Sequence, residues 1–410
     1  MRLILQKKEK DMEEKVNNGK KRVAISFCEA GQGHIVTAQS VAESLEKKYG
    51  DKIEVIRDYS YRDSGEKVLV DHEQFLIKDV CRANKNRFHL VLQLLAMKIF
   101  GEKFTINFVY DTVFRKVKKK ALKHIEKLNA DMIFSTHYEL LYFACCAKEK
   151  KLINSLVVNY DPDHNVHGWW DRRGDIFIVN NPAAEQEALK KHFSPDRLKR
   201  VNFMARRQIV EANESKEFYR KKLGIPDNKF TVLLADGGYA AARLDEYTRE
   251  LLKTDAEITI IPVCGKNTKL YEKYIAISDV KPNITFMPVQ FLTNIEEYYA
   301  ASDIFVTKAG PNAITDCVFM GTPIMTNFYS GKIEQTTSQL FTEHFKTGVY
   351  EPDAVKARKR IEEYAKNPHL LDEFKQNTKK LDKNKNGADE IADIIAEALG
   401  VTKETPAANA

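Results

Sequence analysis

Two short glycine-bearing segments, one in each half of the chain, constrain the fold most. Each joins an apolar run to an amphipathic one. Residues 22–27 (Arg-Val-Ala-Ile-Ser-Phe) read as a buried strand and run into Cys-Glu-Ala-Gly-Gln-Gly-His, with a helix expected to begin near Ile35. Residues 304–307 read as a second such strand and run into Lys-Ala-Gly-Pro-Asn-Ala-Ile-Thr-Asp, the start of another helix. Glycine lets a chain turn tightly and lets a ligand approach its backbone N–H groups. A helix start adds partial positive charge. Loops of this kind belong at the carboxyl ends of strands in open α/β sheets.

The surrounding pattern agrees. Apolar runs at 53–56, 132–135, 156–158 and 176–179 alternate with amphipathic segments such as 37–48 and 183–192. The alternation pauses near 202–216. It restarts at 230–235, 258–263, 284–287, 304–307 and 323–326, separated by segments such as 244–252 and 294–301. Strands alternating with helices imply a parallel sheet covered on both faces. A chain of 410 residues is long enough for two such units. The expected organisation is a charged leader over 1–20, one Rossmann-like domain over 21–205 and a second over 206–385. A terminal helix and disordered tail complete the chain over 386–410.

Composition narrows the class. The chain is 43% hydrophobic and 30% charged, with a net charge of +7. No run approaches the ~20 apolar residues of a membrane span. The N-terminus has no apolar core followed by a small-residue cleavage site, so no signal peptide is expected. Six cysteines without a Cys-x-x-Cys pair fit buried thiols of a cytosolic protein. No nucleic-acid-binding motif is present.

In the first loop, Gly31-Gln-Gly33-His34 lacks the third glycine of a dinucleotide fingerprint, which argues against a nicotinamide enzyme. His34 is the unusual residue. It is either a helix cap or, at a strand's carboxyl end, a general base for an acceptor hydroxyl. The segment Asn159-Tyr-Asp-Pro-Asp-His-Asn-Val-His-Gly-Trp-Trp gathers Asp161, Asp163, His164, His167 and Trp169. It has no metal-motif spacing, so no metal is expected. It reads as an active-site loop, with Asp161 or Asp163 a carboxylate base, or as a turn around Pro162. Residues 81–127 mix Arg82, Lys85, Arg87, Lys98 and Lys103 with Phe88, Leu90, Phe100, Phe104 and Phe108, ahead of Phe-Arg-Lys-Val-Lys-Lys-Lys. This pattern suits either a helix lying on an anionic membrane or a core helix with a solvated basic face.

The second unit offers Asp236-Gly237-Gly238 after one strand and Lys308-Ala-Gly310-Pro311-Asn312-Ala313 after another. Pro311 suits a helix first turn. The N–H groups of Asn312 and Ala313 would face a diphosphate, and Asp316 would accept from ribose hydroxyls. Lys308 would add charge or pair with a neighbouring carboxylate.

Together these residues resemble the monogalactosyldiacylglycerol synthase and processive diacylglycerol glucosyltransferase family. The resemblance runs through about 20–345. It is carried by Gly31-Gln-Gly33-His34, Tyr160-Asp161…His164…His167-Gly-Trp169, Val263-Cys-Gly265-Lys-Asn267, Lys308-Ala-Gly310-Pro311 and Gly321-Thr-Pro323-Ile. It implies a GT-B fold, with two Rossmann-like domains facing a cleft. It implies inverting hexose transfer from a UDP-sugar to diacylglycerol, with no cofactor or metal, by a protein peripheral to the cytosolic face of the membrane. Anionic lipid would meet the basic stretch. His34 and Asp161 would be catalytic, and Gly31, Gly33, His164, His167 and Trp169 would line the acceptor side. Gly237, Gly238, Gly265, Lys308, Gly310, Pro311, Asn312, Ala313, Asp316 and Glu334 would line the donor side. Departures from the family cluster on that donor side. Its Gly-Thr is Asn312-Ala313 here, its ribose Glu is Asp316, and its Gln is Ile333 beside Glu334. Two other readings therefore stay open. One is a different GT-B enzyme, such as a UDP-N-acetylglucosamine lipid transferase or an epimerase. The other is a donor-defective lipid-binding module.

Overall fold

The computed structural model describes residues 19–29, 32–85, 102–160, 170–240, 242–329 and 332–401. The first unit begins β1 (Lys21–Ser26), α1 (Gln32–Tyr49), β2 (Ile53–Asp58), α2 (Lys67–Lys85), α3 (Glu102–Asp111) and α4 (Arg115–Leu128). It continues with β3 (Met132–Ser135), α5 (Tyr138–Glu149), β4 (Leu156–Tyr160), β5 (Ile176–Val179), α6 (Pro182–Lys190) and β6 (Leu198–Arg200). Among the described residues these strands form one parallel sheet in the order β2-β1-β3-β4-β5-β6.

The second unit runs α7 (Lys216–Leu223), β7 (Phe230–Ala235), α8 (Leu244–Leu251), β8 (Ile258–Val263), α9 (Thr268–Ile275), β9 (Ile284–Phe286) and α10 (Ile295–Ala301). Then come β10 (Ile304–Lys308), α11 (Pro311–Phe319), β11 (Ile324–Phe328), α12 (Lys332–Gln339), β12 (Gly348–Tyr350) and α13 (Ala354–Lys366). Its strand order is β12-β11-β10-β7-β8-β9, again parallel. The chemistry of the strands explains the architecture. All six side chains of β8 are buried, as are Val23 to Ser26 of β1. Such unbroken apolar runs need cover on both faces, which helices supply.

The α/β organisation expected from the alternation is present as two units. Edge strands β6 and β12, three residues each, are not among the runs read from the sequence. The partner of the terminal helix is one thing the sequence did not disclose. The terminal helix, set apart over 386–410, is α14 (Gly387–Ala398), and it is built into the first unit. Ile391, Ala392, Ile395 and Ala396 share a core with Val41, Ala42, Leu45 and Tyr49 of α1. The reason is physical: this apolar stripe needs a partner, and α1 offers one. Lys48 and Tyr49 also bind Asp393, each at 2.6 Å. The tail from 402 onward lies outside the described residues.

The chain thus passes between the units twice, and the two passages are stitched side by side. Gly387 N donates to Phe203 O at 3.0 Å. Asn386 accepts from Ala205 N at 3.0 Å and donates to Ala205 O at 2.9 Å. A Cβ on Gly387 would fall 2.1 Å from Asn202 O, so only glycine permits this approach.

Candidate active site

Both glycine loops sit at carboxyl ends of central strands. Strand β1 pairs with β3, so Ser26 lies beside Ser135 and the loops leaving them are neighbours. That register brings Thr136 and His137 to His34, the third residue of α1. The Nδ1 of His34 lies 2.5 Å from Thr136 O. A carbonyl only accepts, so Nδ1 is the donor; whenever the ring is neutral, the lone pair is on Nε2. The His137 ring stands edge-on to His34, with centroids 4.9 Å apart. Thr136 Oγ1 donates back to His34 O at 3.3 Å. His34 is therefore an oriented imidazole with a fixed tautomer. Sequence reasoning missed Thr136 and His137. The signal available was their position just past the end of β3.

The same loop is anchored from below. Glu29 N donates to the buried Glu73 of α2 at 2.8 Å, and Arg62 joins Glu29 to Glu73. Beside Glu73, His72 binds Glu139 at 3.2 Å, and Tyr61 and Tyr110 donate to the same carboxylate. Burial pushes the Glu139 carboxyl up. The hydrogen bond and charge of His72, the charge of His137 and the Tyr110 hydroxyl more than reverse this, holding it at about 2.

On the other side of the cleft, β10 shifts register at Thr307 and Lys308, a bulge that re-aims the loop leading into α11. Pro311 takes the first helical position of α11 with Gly310 as cap. A Cβ on Gly310 would meet no atom within 4 Å, so the helix start faces open space. Gly237 turns with φ +77° against the Lys308 side chain. Gly265, φ +56°, lets Lys266 N reach Gly238 O at 2.8 Å, and a Cβ there would lie 2.4 Å from that oxygen. Buried Asp236, not singled out from the sequence, accepts from Lys308 N at 3.0 Å and Arg243 N at 2.6 Å. Burial raises its pKa, and those two N–H groups pull it back.

Two donor-side residues are already partnered, Lys308 in one of the two ways expected of it. Lys308 Nζ is 2.7 Å from Glu334, so its charge is already partnered. The second is Asp316. Its carboxylate is buried and lies 2.7 Å from Arg206 Nε, a partner that its reading as a ribose acceptor did not include. The side chain is one methylene shorter than Glu, and a permanent cation sits behind it. Gly31, Asp161, His164, His167 and Trp169 lie outside the described residues, as does 86–101 of the basic stretch. Within that stretch, α4 buries Val117, Ala121, Leu122 and Ile125, as a core helix with a solvated basic face does. Ala313 is half-buried in the first turn of α11, and Asn312 donates from Nδ2 to Gly33 O at 3.1 Å. This bond joins the two glycine loops directly.

A cavity of about 460 Å³ lies at the opposite end of α11, around Phe319 to Pro323. Its lysines are committed: Lys216 to Asp303, and Lys383 to the carbonyls of Ile209 and Ala212. Among the described residues no group of three His, Cys, Asp or Glu side chains is placed to hold a metal ion.

Residues 34–201 match the model of the monogalactosyldiacylglycerol (MGDG) synthase family, and residues 237–395 match that of the glycosyltransferase family 28 C-terminal domain. The chain has a GT-B fold, and both matched families are families of glycosyl transfer. It is related to the diacylglycerol glycosyltransferases. A probable chloroplastic MGDG synthase of Nicotiana tabacum is 24% identical over 324 residues, covering 75% of this chain and 58% of that protein. The chain thus spans well under two thirds of that plant relative. A processive diacylglycerol beta-glucosyltransferase of Bacillus licheniformis is 21% identical over 309 residues, covering 75% of this chain and 77% of that one. Among solved structures, MurG of Acinetobacter baumannii superposes with a TM-score of 0.59 at 15% identity, covering 92% and 99% of the two chains. Anabaena HepE, solved with UDP and glucose, gives 0.54 at 13% identity, covering 93% and 100%. These two likenesses concern the fold.

Proposed function

We propose that this GT-B glycosyltransferase moves a hexose from a UDP-sugar to the hydroxyl of diacylglycerol, with inversion, at a membrane surface. The observation that carries the reading is the meeting of the His34 loop with the start of α11, through Asn312 and Gly33. Neutral His34, protonated on Nδ1, offers Nε2 as the base. It takes the acceptor hydroxyl proton while that oxygen attacks the anomeric carbon. The bond to UDP breaks on the opposite face, and its electron pair leaves with the diphosphate. The N–H groups at the start of α11 stabilise that anion, without a metal. The acceptor's lipid character is supported by the family match over 34–201. It is also supported by exposed Phe75, Phe108 and Val113 close to the lysines of α4. Among the described residues no helix is long and apolar enough to cross a membrane, which fits a peripheral attachment.

The test is incubation with a panel of UDP-sugars and mixed diacylglycerol liposomes, with mass spectrometry of the lipids. A hexosyl lipid that disappears in His34→Ala is expected, and no lipid product with any donor would sink the proposal. A second reading, a donor-defective lipid-binding module, is favoured by Lys308 and Asp316 being taken up by Glu334 and Arg206. Calorimetry with UDP separates the two, because tight binding excludes the defective module.

A further inference from the structure

Helix α11 is held from two directions on one face. Asn312 and Asp316 are four residues apart and therefore lie one above the other. Asn312 reaches the acceptor-side loop at Gly33. Asp316 reaches Arg206, where the chain crosses between the two units. Gly33 leaves little slack, because a Cβ there would already stand 3.4 Å from Asn312 Nδ2. His34 is the next residue, and its ring is fixed on Thr136. Thus, among the described residues, the Asn312 side-chain amide bridges the loop that carries the imidazole and the helix start across the cleft.

We propose that Asn312 is an interdomain positioning residue, and that its amide clamps α11 onto the His34 loop. The backbone N–H of Asn312 belongs to the helix start, whereas its side chain serves the other domain. The two roles are separable by substitution. Asn312→Ala removes the clamp and keeps the N–H. Asn312→Asp keeps the shape but turns a carboxylate oxygen toward Gly33 O, so the contact becomes repulsive. An acidic residue in the first turn of a helix is favourable in itself. The Asp variant should therefore open the cleft without lowering fold stability, a combination that a merely structural role does not produce.

The experiment reads the distance between spin labels, one on each domain, in ligand-free and UDP-saturated protein. It is paired with UDP calorimetry and urea midpoints. Loss of one neutral hydrogen bond should lower the closed-to-open ratio about five-fold in the Ala variant, and more in the Asp variant. Urea midpoints should stay unchanged or rise, and UDP affinity should change less than two-fold in the Ala variant. The kinetic consequence rests on the proposed transfer reaction: turnover falls while donor KM holds. An unchanged distance distribution in both variants overturns the clamp. So does a loss of UDP affinity beyond ten-fold at unchanged distance, because Asn312 would then be a nucleotide ligand. If wild type binds no UDP, the functional proposal fails, and the ligand-free distances still decide the clamp.

Discussion

Buried Asp316 on α11 and half-buried Arg206 at the crossover form an ion pair, with Oδ2 and Nε 2.7 Å apart. Burial pushes the Asp316 carboxyl above its ordinary value, and the Arg206 charge only partly pulls it back. Arg206 moves up despite its own burial, because of Asp316. The guanidinium stays charged at any accessible pH. Such a pair fixes geometry more than it adds stability. Removing one partner leaves the other charge buried. Asp316→Asn and Arg206→Met should each cost about 3–5 kcal/mol in urea denaturation, and Arg206→Met with Asp316→Leu should recover most of it. A single-variant cost below about 1 kcal/mol would contradict this account.

Gly265 and Gly310 should separate folding from binding. A Cβ at Gly265 would collide with Gly238 O at 2.4 Å, on a backbone at φ +56°. Gly265→Ala should therefore lose roughly 2 kcal/mol or more of stability. Gly310→Ala meets nothing within 4 Å. It should shift the urea midpoint by less than about 0.5 kcal/mol, yet weaken UDP binding several-fold by crowding the helix start. Equal effects of the two substitutions on stability would show that the open space at Gly310 is misjudged.

The contrast also marks what the sequence could disclose. The glycine loops, Pro311 and the strand runs depend on local chemistry, so they were legible. The destination of Asp316 was not, because Arg206 lies 110 residues away and only the fold unites them. The same holds for Asn312 and Gly33, separated by 279 positions. His34 stood out between glycines, whereas its orienting carbonyl at Thr136 belongs to another strand. The crossing of α14 was hidden for a related reason: an amphipathic pattern declares a buried face but not its partner.

Glu139 predicts a specific acid response. Its folded pKa, about 2, lies below the usual 4.5. A lowered carboxyl contributes stability that is complete above the unfolded value and is lost as pH falls toward the folded one. The loss should run from about 4.5 to about 2, and amount to roughly 3 kcal/mol. Glu139→Gln should be less stable at neutral pH, and its stability should fall less steeply over that range. Urea midpoints measured against pH check this, and parallel curves for the two proteins would remove Glu139 from the explanation.

Helix α14 should stabilise the domain it is farthest from in sequence. Ile395 is fully buried against the α1 core, although it comes after the whole second unit. Replacing a buried Ile by Ala costs about 2–5 kcal/mol, depending on how well the site collapses. That loss should fall on α1 and the β1–β2 pair, because these pack around Val41, Leu45 and Ile53 of the same cluster. Hydrogen exchange of Ile395→Ala should therefore show reduced protection in β1 and α1, with β7 and β8 unchanged. His34 opens α1, so hexosyl transfer, if it is this protein's reaction, should weaken along with α1 protection. Loss of protection centred on β7 and β8 would mean that α14 supports the second unit instead, and the stitched crossover at Asn386 and Gly387 would then need a different role.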